Sequence, residues 1–495
     1  MKILFIQPKS GFLMRGTTYP VCRSIMVSAT YMKNIGYDVL IHNRCIDFTN
    51  AETVIDSFNP EVAIIYVTPT ASIEDAKQLS ASLKRRGVIV VWGEVVASAI
   101  SEVLVERKIA DFVITGETEF KLQSLATEIR GNKNYELIPG LTFFKDNVVY
   151  STDNRNDTNL NIIPSIDWDL IDVEKCFRNF PHCKKMLYMY TSRGCPYKCT
   201  YCYNTMFYNS EHRKRPIEFV LNEVKYLERK YGLDGVNFSD ELLLLSNEEI
   251  KKIEKFRSDN DLHFVWGGET RADIYNKEAL KEMYKAGCRW LLLGLETGSN
   301  ETRKKINKPM DPKKIRCFVN LCTEIGISTF GSFIIGFPGE TIKNLKETVD
   351  FALSLDLDAF LFNYYVLVPK TPLGEETIAT FNLNISDILS DTSASTKIQI
   401  LTQNYSNIPN TDLQVIKSYF DWITFTRKKE KTPPKNMFIK KAVDVILHFS
   451  KSNIKDSLYN IFCAARTFIT ILFFSHFFPK INKRYGLRNI NKKQL

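Results

Sequence analysis

Short apolar runs rich in Val, Ile and Phe alternate with helix-length amphipathic segments along most of this chain, and that alternation constrains its fold more than any other feature. Residues 2–7, 38–41, 62–67, 88–92 and 112–115 read as strands, with helix candidates at 73–86 and 97–107. Short strands separated by helices predict a doubly wound, Rossmann-like parallel sheet. Such sheets bind ligands beyond the carboxyl ends of their strands, here near residues 8–17, 68–72, 93–98 and 116–119.

The pattern fades over 135–184, where Asn and Asp surround weak strand signals such as 141–144, and then resumes with a longer repeat. Residues 186–191, 235–239, 263–266, 290–295, 329–335 and 360–368 read as six further strands with helix-length spacers. Six such units predict a partial (β/α)6 barrel, whose chemistry belongs at the C-terminal ends of its strands. At 495 residues the chain exceeds one ordinary core. The expected organisation is a Rossmann-like domain over 1–134, a linker over 135–184, a barrel core over 185–375 and a helical, basic extension over 376–495.

Charge and cysteine content narrow the function classes. The net charge of +10 suggests nucleic acid only until it is located. Residues 427–495 hold sixteen Lys and Arg against three Asp and Glu, which leaves about −3 for everything before them. A basic, nucleic-acid-binding body is therefore not expected. The eleven cysteines are sparse and odd in number, and no secretory leader is read at the start, so a reducing cytosol is expected rather than a disulfide scaffold. No run of eighteen uninterrupted apolar residues predicts a spanning helix. The apolar stretches 438–449 and 458–478 lie beside Lys and Arg, and have two readings: peripheral contact with a membrane surface, or helices covering the barrel.

Directly after the first strand of the second repeat stands Ser192-Arg-Gly-Cys195-Pro-Tyr-Lys-Cys199-Thr-Tyr-Cys202-Tyr203. Thiolates spaced four and then three apart on a loop can converge on one cubic iron–sulfur cluster and leave one iron open. A structural zinc site wants four ligands, and the nearest further candidates, His182 and Cys183, precede the strand.

This CxxxCxxC loop resembles that of the radical S-adenosylmethionine (SAM) superfamily, and later segments are similar to its cobalamin-associated branch in the expected order over about 185–375. The resemblance implies a [4Fe-4S] cluster on Cys195, Cys199 and Cys202, with SAM chelating the open iron. It places Tyr201 against adenine and Asp240, in Val236-Asn-Phe-Ser-Asp-Glu241, near the methionine amino group. Loop packing and a helix N-cap are the respective alternatives. Arg271, in Trp266-Gly-Gly-Glu-Thr-Arg271-Ala-Asp273, is implied to pair with a carboxylate, or else to form a structural ion pair. Glu296, in Gly294-Leu-Glu-Thr-Gly-Ser299, is implied to approach the ribose, and the turn Gly336-Phe-Pro-Gly339-Glu340 to approach adenine. Residues 366–374 resemble the family's closing segment.

The first domain resembles the family's cobalamin-binding domain, most clearly at Thr115-Gly116-Glu117-Thr118-Glu119, which makes Gly116 and Glu117 candidate cofactor contacts. Two departures stand out: no Asp-x-His-x-x-Gly motif surrounds His42, and the usual Gly-Gly is Gly93-Glu94. The resemblance implies cobalamin held without a protein histidine ligand, the alternative being a degenerate domain that only shapes the substrate pocket. The implied activity is methylation of a carbon in a small molecule, with oxidative cyclisation or rearrangement as the alternative, supplied by an external flavodoxin- or ferredoxin-type electron donor. A tRNA methylthiotransferase would carry three further cluster cysteines in the first domain, where only Cys22 and Cys45 occur. An electron-transfer or binding protein would ordinarily use four cysteine ligands.

Overall fold

The computed structural model describes residues 1–9, 22–69, 73–154, 158–389, 403–414, 416–417 and 420. The first sheet contains β1 (Lys2–Gln7), β2 (Asp38–Asn43), β3 (Val62–Tyr66), β4 (Ile89–Gly93), β5 (Phe112–Ile114), β6 (Leu141–Lys145) and β7 (Val148–Ser151). Its order is β2-β1-β3-β4-β5-β6-β7, with β1 to β5 parallel and the last two antiparallel. The parallel strands read as continuous apolar runs because both faces are covered. In β3, Ile64 and Tyr66 enter one apolar cluster while Ala63 and Ile65 enter another on the opposite face. Local signals set the crossovers: Asn50 caps the helix Ala51–Phe58 through Glu52 N–H, and Asn59 ends it with a left-handed φ of 50°.

The second sheet contains β8 (Arg178–Phe180), β9 (Cys183–Met189), β12 (Gly235–Phe238), β13 (Val265–Thr270), β14 (Cys288–Glu296), β15 (Ser328–Ile335) and β16 (Ala359–Tyr364). Between β9 and β12 lies a two-stranded ribbon, β10 (Ser192–Arg193) with β11 (Arg213–Lys214). The order β16-β15-β14-β13-β12-β9-β8 is parallel from β16 to β9, so six βα units curl into a half-barrel. Only β8 is antiparallel. Away from the helix-covered face, Trp290 occupies the space a Cβ on Gly267 would need, 2.3 Å from its indole, and its Nε1 donates to Asn237 at 2.8 Å. Side-chain caps start the barrel helices: Ser246 with Glu249 and Thr341 with Asn344 form capping boxes, and Asp311 precedes Pro312.

Boundaries differ from the sequence reading at several elements, among them a helix read at 97–107 that is two helices, Glu94–Ala99 and Ser101–Glu106. β13 runs on to Thr270, carrying two polar residues that pattern alone would end a strand on. β16 stops at Tyr364, before the Pro-rich segment that cannot continue a ladder. Within 135–184, Leu141–Lys145 and Val148–Ser151 extend the first sheet as a hairpin and Arg178–Phe180 borders the second, because an edge strand needs only one apolar face. Residues 403–414, 416–417 and 420 pack back on the barrel: Ile408, Leu413, Ile416 and Phe420 are buried, and Phe420 stacks on Phe362 at 3.8 Å. The basic tail after residue 420, with its two apolar stretches, lies outside the described residues. Among the described residues no helix is long and apolar enough to cross a membrane.

Candidate active site

The cysteine loop begins where the β10–β11 ribbon opens. Gly194 has φ 77°, and a Cβ there would lie 1.9 Å from the Glu211 carbonyl oxygen, so the loop closes only over glycine. Cys202 N–H donates to Cys199 O at 3.1 Å, and Asn204 Nδ2 donates to Cys195 O at 2.7 Å, which folds the three thiols onto one short stretch. Thr200 N–H reaches Ile306 O and Asn307 Nδ2 reaches Lys198 O, tying the loop to the end of the helix Asn300–Lys305.

Burial pushes all three thiols up, Cys202 to about 12, with Cys199 adding to the rise at Cys195 and both Cys199 and Cys195 adding to it at Cys202. Lys308 opposes that shift at every thiol, with Arg271 beside it at Cys195 and Cys199. A thiol so placed favours the proton until a cation or metal replaces it. Among the described residues no three His, Cys, Asp or Glu side chains converge as tightly as one metal ion requires. Three soft thiol donors on one loop are a donor set that suits a cluster.

Beside the loop, β14 shifts register against β15 between Gly294 and Glu296, and Glu296 adopts φ 58°. Its carboxylate meets Lys308 Nζ at 2.7 Å, both side chains being buried. A Cβ on Gly294 would lie 2.8 Å from Glu296 Oε1 and 2.9 Å from Lys308 Nζ, so this glycine makes room for the pair. Burial alone would lower the Lys308 ammonium, but Glu296 and Cys199 outweigh it and hold the pKa above the usual lysine range. The Tyr201 phenol is buried and lies close enough to Glu296 for that carboxylate to add to the upward shift of its pKa, and its ring meets Phe337 edge-on at 5.6 Å. Arg271 lies over the Tyr197 ring at 3.9 Å and is held by a bidentate bridge to Asp273 at 2.9 and 2.8 Å. The structure thus brings Cys195, Cys199, Cys202, Tyr201, Glu296 and Arg271 together around Lys308.

The other candidate residues flank this centre. Asp240 accepts from Thr191 N–H at 2.8 Å, from Thr191 Oγ1 and from Ser192 Oγ at 2.7 Å, bracing the base of the ribbon, and burial pushes its carboxyl to about 6. At the end of β15, Gly336 and Gly339 have φ 83° and 74°. Glu340 Oε2 accepts from Gly336 N–H at 2.7 Å, while its buried Oε1 has no hydrogen-bond partner among the described residues. Burial pushes this carboxyl to about 7. Residues 403–414 hold the same turn, through Gly339 N–H to Tyr405 O and Asn407 N–H to Glu340 O.

In the first domain, Gly116 has φ 72° and donates its N–H to Ser98 Oγ at 3.1 Å. Both Glu117 oxygens are engaged, by Arg193 and Arg213, each at 2.8 Å. Burial would raise the Glu117 carboxyl, but the two guanidinium groups hold it below its usual range. Glu94 keeps the left-handed backbone a glycine would take there, φ 81°, and its buried carboxylate, pushed up by burial, lies 3.9 Å from Cys22 Sγ. Sequence reasoning missed Lys308, Arg193 and Glu241. Lys308 follows the basic run Arg303-Lys304-Lys305 and looks solvated, and Arg193 and Glu241 adjoin motif residues without a periodic signal of their own.

The sequence pattern of the radical SAM superfamily matches residues 189–352. An uncharacterized methyltransferase of Pyrococcus horikoshii is 26% identical over 389 residues, covering 77% of this chain and 83% of that protein. The anaerobic magnesium-protoporphyrin IX monomethyl ester cyclase of Rubrivivax gelatinosus is 25% identical over 392 residues, covering 76% of this chain and 70% of its own length. Among solved structures, the radical S-adenosylmethionine methyltransferase TsrM of Kitasatospora setae, with cobalamin and a [4Fe-4S] cluster bound, matches with a TM-score of 0.63 at 19% identity, covering 77% of this chain and 75% of that one. TsrM has also been solved with its tryptophan substrate and a SAM analog. The likeness establishes a common fold.

Proposed function

We propose that the chain is a cobalamin-dependent radical SAM methyltransferase acting on a carbon of a small molecule, a reading supported by the match of residues 189–352 to the radical SAM superfamily pattern. Bound there, a [4Fe-4S] cluster with SAM supplies a 5′-deoxyadenosyl radical by one-electron cleavage of a carbon–sulfur bond, and a corrinoid supplies a transferable methyl group. Cys195, Cys199 and Cys202 hold the cluster, and an external flavodoxin- or ferredoxin-type protein delivers the electron.

The observation that carries this reading is the meeting of Tyr201, within the cysteine loop, with Glu296 at the end of β14 and with Lys308. In this assignment Tyr201 and Phe337 wall the adenine and Glu296 accepts from the ribose. Lys308 and Arg271 face the methionine carboxylate, and Asp240 lies on the side of the amino group. The unpartnered Glu340 oxygen is an acceptor awaiting a donor, and the two glycines beside it admit a flat ring at close range.

For the corrinoid, the first sheet offers the strand ends at Gly93 and Gly116. A Cβ on Gly93 would lie 3.1 Å from Thr118 Cγ2, and the following φ of 81° preserves the backbone of a Gly-Gly turn. The Glu94 carboxylate is the departure from that pattern. Oxidative cyclisation is the second reading, favoured by the 25% identity to a cyclase.

Anaerobic reconstitution followed by SAM and a strong reductant tests the proposal. The expected results are 5′-deoxyadenosine above a Cys199→Ala control, retention of a corrinoid by absorption, and label from methyl-SAM in the product. Absence of 5′-deoxyadenosine overturns the radical assignment. Turnover without methyl incorporation favours cyclisation.

A further inference from the structure

Glu241 takes no part in the contacts assigned above, yet its side chain is only 6% exposed and sits between the two domains. One oxygen accepts the Gly194 N–H at 2.9 Å, immediately before Cys195. The other accepts from Tyr203 Oη at 3.2 Å, immediately after Cys202, and from the Arg23 guanidinium. A single carboxylate therefore touches both ends of the cysteine loop.

Arg23 comes from the other domain. It is the first residue of the helix Arg23–Asn34, which packs on the first sheet, and it also donates to Ser239 O on the barrel. A second contact runs in parallel: Arg193, adjoining Gly194, places its guanidinium between Glu117 and Glu119 of the first domain, at 2.8 Å from each. Arg23 and Arg193 both flank the Tyr190 ring, at 5.7 and 5.3 Å. Charge-assisted bonds of this kind, shielded from water, fix geometry more firmly than neutral ones.

We propose that Glu241, paired with Arg23, is a positioning residue for the cysteine loop, so that the seating of the first domain sets the geometry of the three thiols. This rests on the reading that the loop holds a cluster. Gln at 241 keeps an acceptor for Gly194 but removes the charge that Arg23 balances. Arg23→Gln removes the same pairing from the opposite domain, 218 positions away in sequence.

The test uses full-length, anaerobically reconstituted wild type, Glu241→Gln, Arg23→Gln and the double variant. Two signals are read: amide exchange across residues 194–203, and the change that SAM causes in the electron paramagnetic resonance spectrum of the reduced cluster. Each single variant is expected to exchange about tenfold faster in that segment, with the two sheets unchanged, as the loss of one charged hydrogen bond implies. The SAM-dependent spectral change should alter in both, and Arg23→Lys should restore it in part. The double variant should be no worse than either single one, because both break the same contact. Unchanged exchange in either single variant, or additive effects in the double, overturns the proposal. Failure of the wild type to take up a cluster would sink the reading of the loop instead, while the exchange measurement on the unloaded chain still decides the clamp.

Discussion

Lys308→Met separates a buried functional charge from a solvated one. In the structure Lys308 Nζ lies 2.7 Å from Glu296 with the two side chains 10% and 8% exposed. Met matches the lysine stem in length, so the change removes charge with little change in packing. At an effective dielectric of about 20, two unit charges at that separation attract by roughly 6 kcal/mol, an upper bound on what is lost. Breaking a buried pair from one side typically costs about 3–5 kcal/mol, because the partner stays buried and uncompensated. For a barrel of this size that corresponds to a fall of about 10 °C in the melting temperature. Adding Glu296→Gln should recover more than half of the loss, since no charge then remains unpaired. The assay is thermal unfolding of the two single variants and the double, followed by circular dichroism at neutral pH. A Lys308→Met protein that melts within about 2 °C of wild type, or a double variant as unstable as Lys308→Met, would refute the reasoning.

Three further outcomes follow from individual backbone and burial features. Gly194→Ala puts a Cβ 1.9 Å from a carbonyl oxygen at φ 77°, so iron bound per chain after reconstitution should drop to background while the far-ultraviolet dichroism is kept. Burial raises Glu340 from 4.5 to about 7, so its neutral form contributes stability that is present below about pH 4.5 and lost as pH climbs through about 7. Glu340→Gln should therefore gain on ligand-free wild type by about 2.5 kcal/mol between pH 5 and pH 8 in denaturant titrations, and parallel curves would contradict this. Glu94→Gly relieves a left-handed glutamate, a strain of about 1–2 kcal/mol, together with a buried carboxylate raised by desolvation. Its melting temperature should rise more at pH 8 than at pH 5, with greater corrinoid retention by absorption, and a fall in stability at pH 8 would count against the burial argument.

What the sequence by itself determined is the set of features that repeat at short range. The alternation of apolar runs with amphipathic helices was enough to place five parallel strands of the first sheet and six of the second, because strand and helix periods are local properties of two to four residues. The cysteine loop was equally legible, since its spacing lies within eight residues, and Tyr201, Glu296, Arg271 and the Gly336–Glu340 turn were singled out by their resemblance to family motifs. The hairpin at 141–151 was underestimated because an edge strand with one solvated face carries a weak pattern. Tertiary structure alone decided the electrostatics. Lys308 becomes a site residue only when β14 bulges at Glu296, and Glu117 is engaged by ion pairs only when Arg193, 76 positions later, docks beside it. Glu241 likewise acquires its role from Arg23, which comes from the far domain. Opposite charges attract across any gap in sequence, so such pairing leaves no period to read, and only the folded chain shows which charges are buried together.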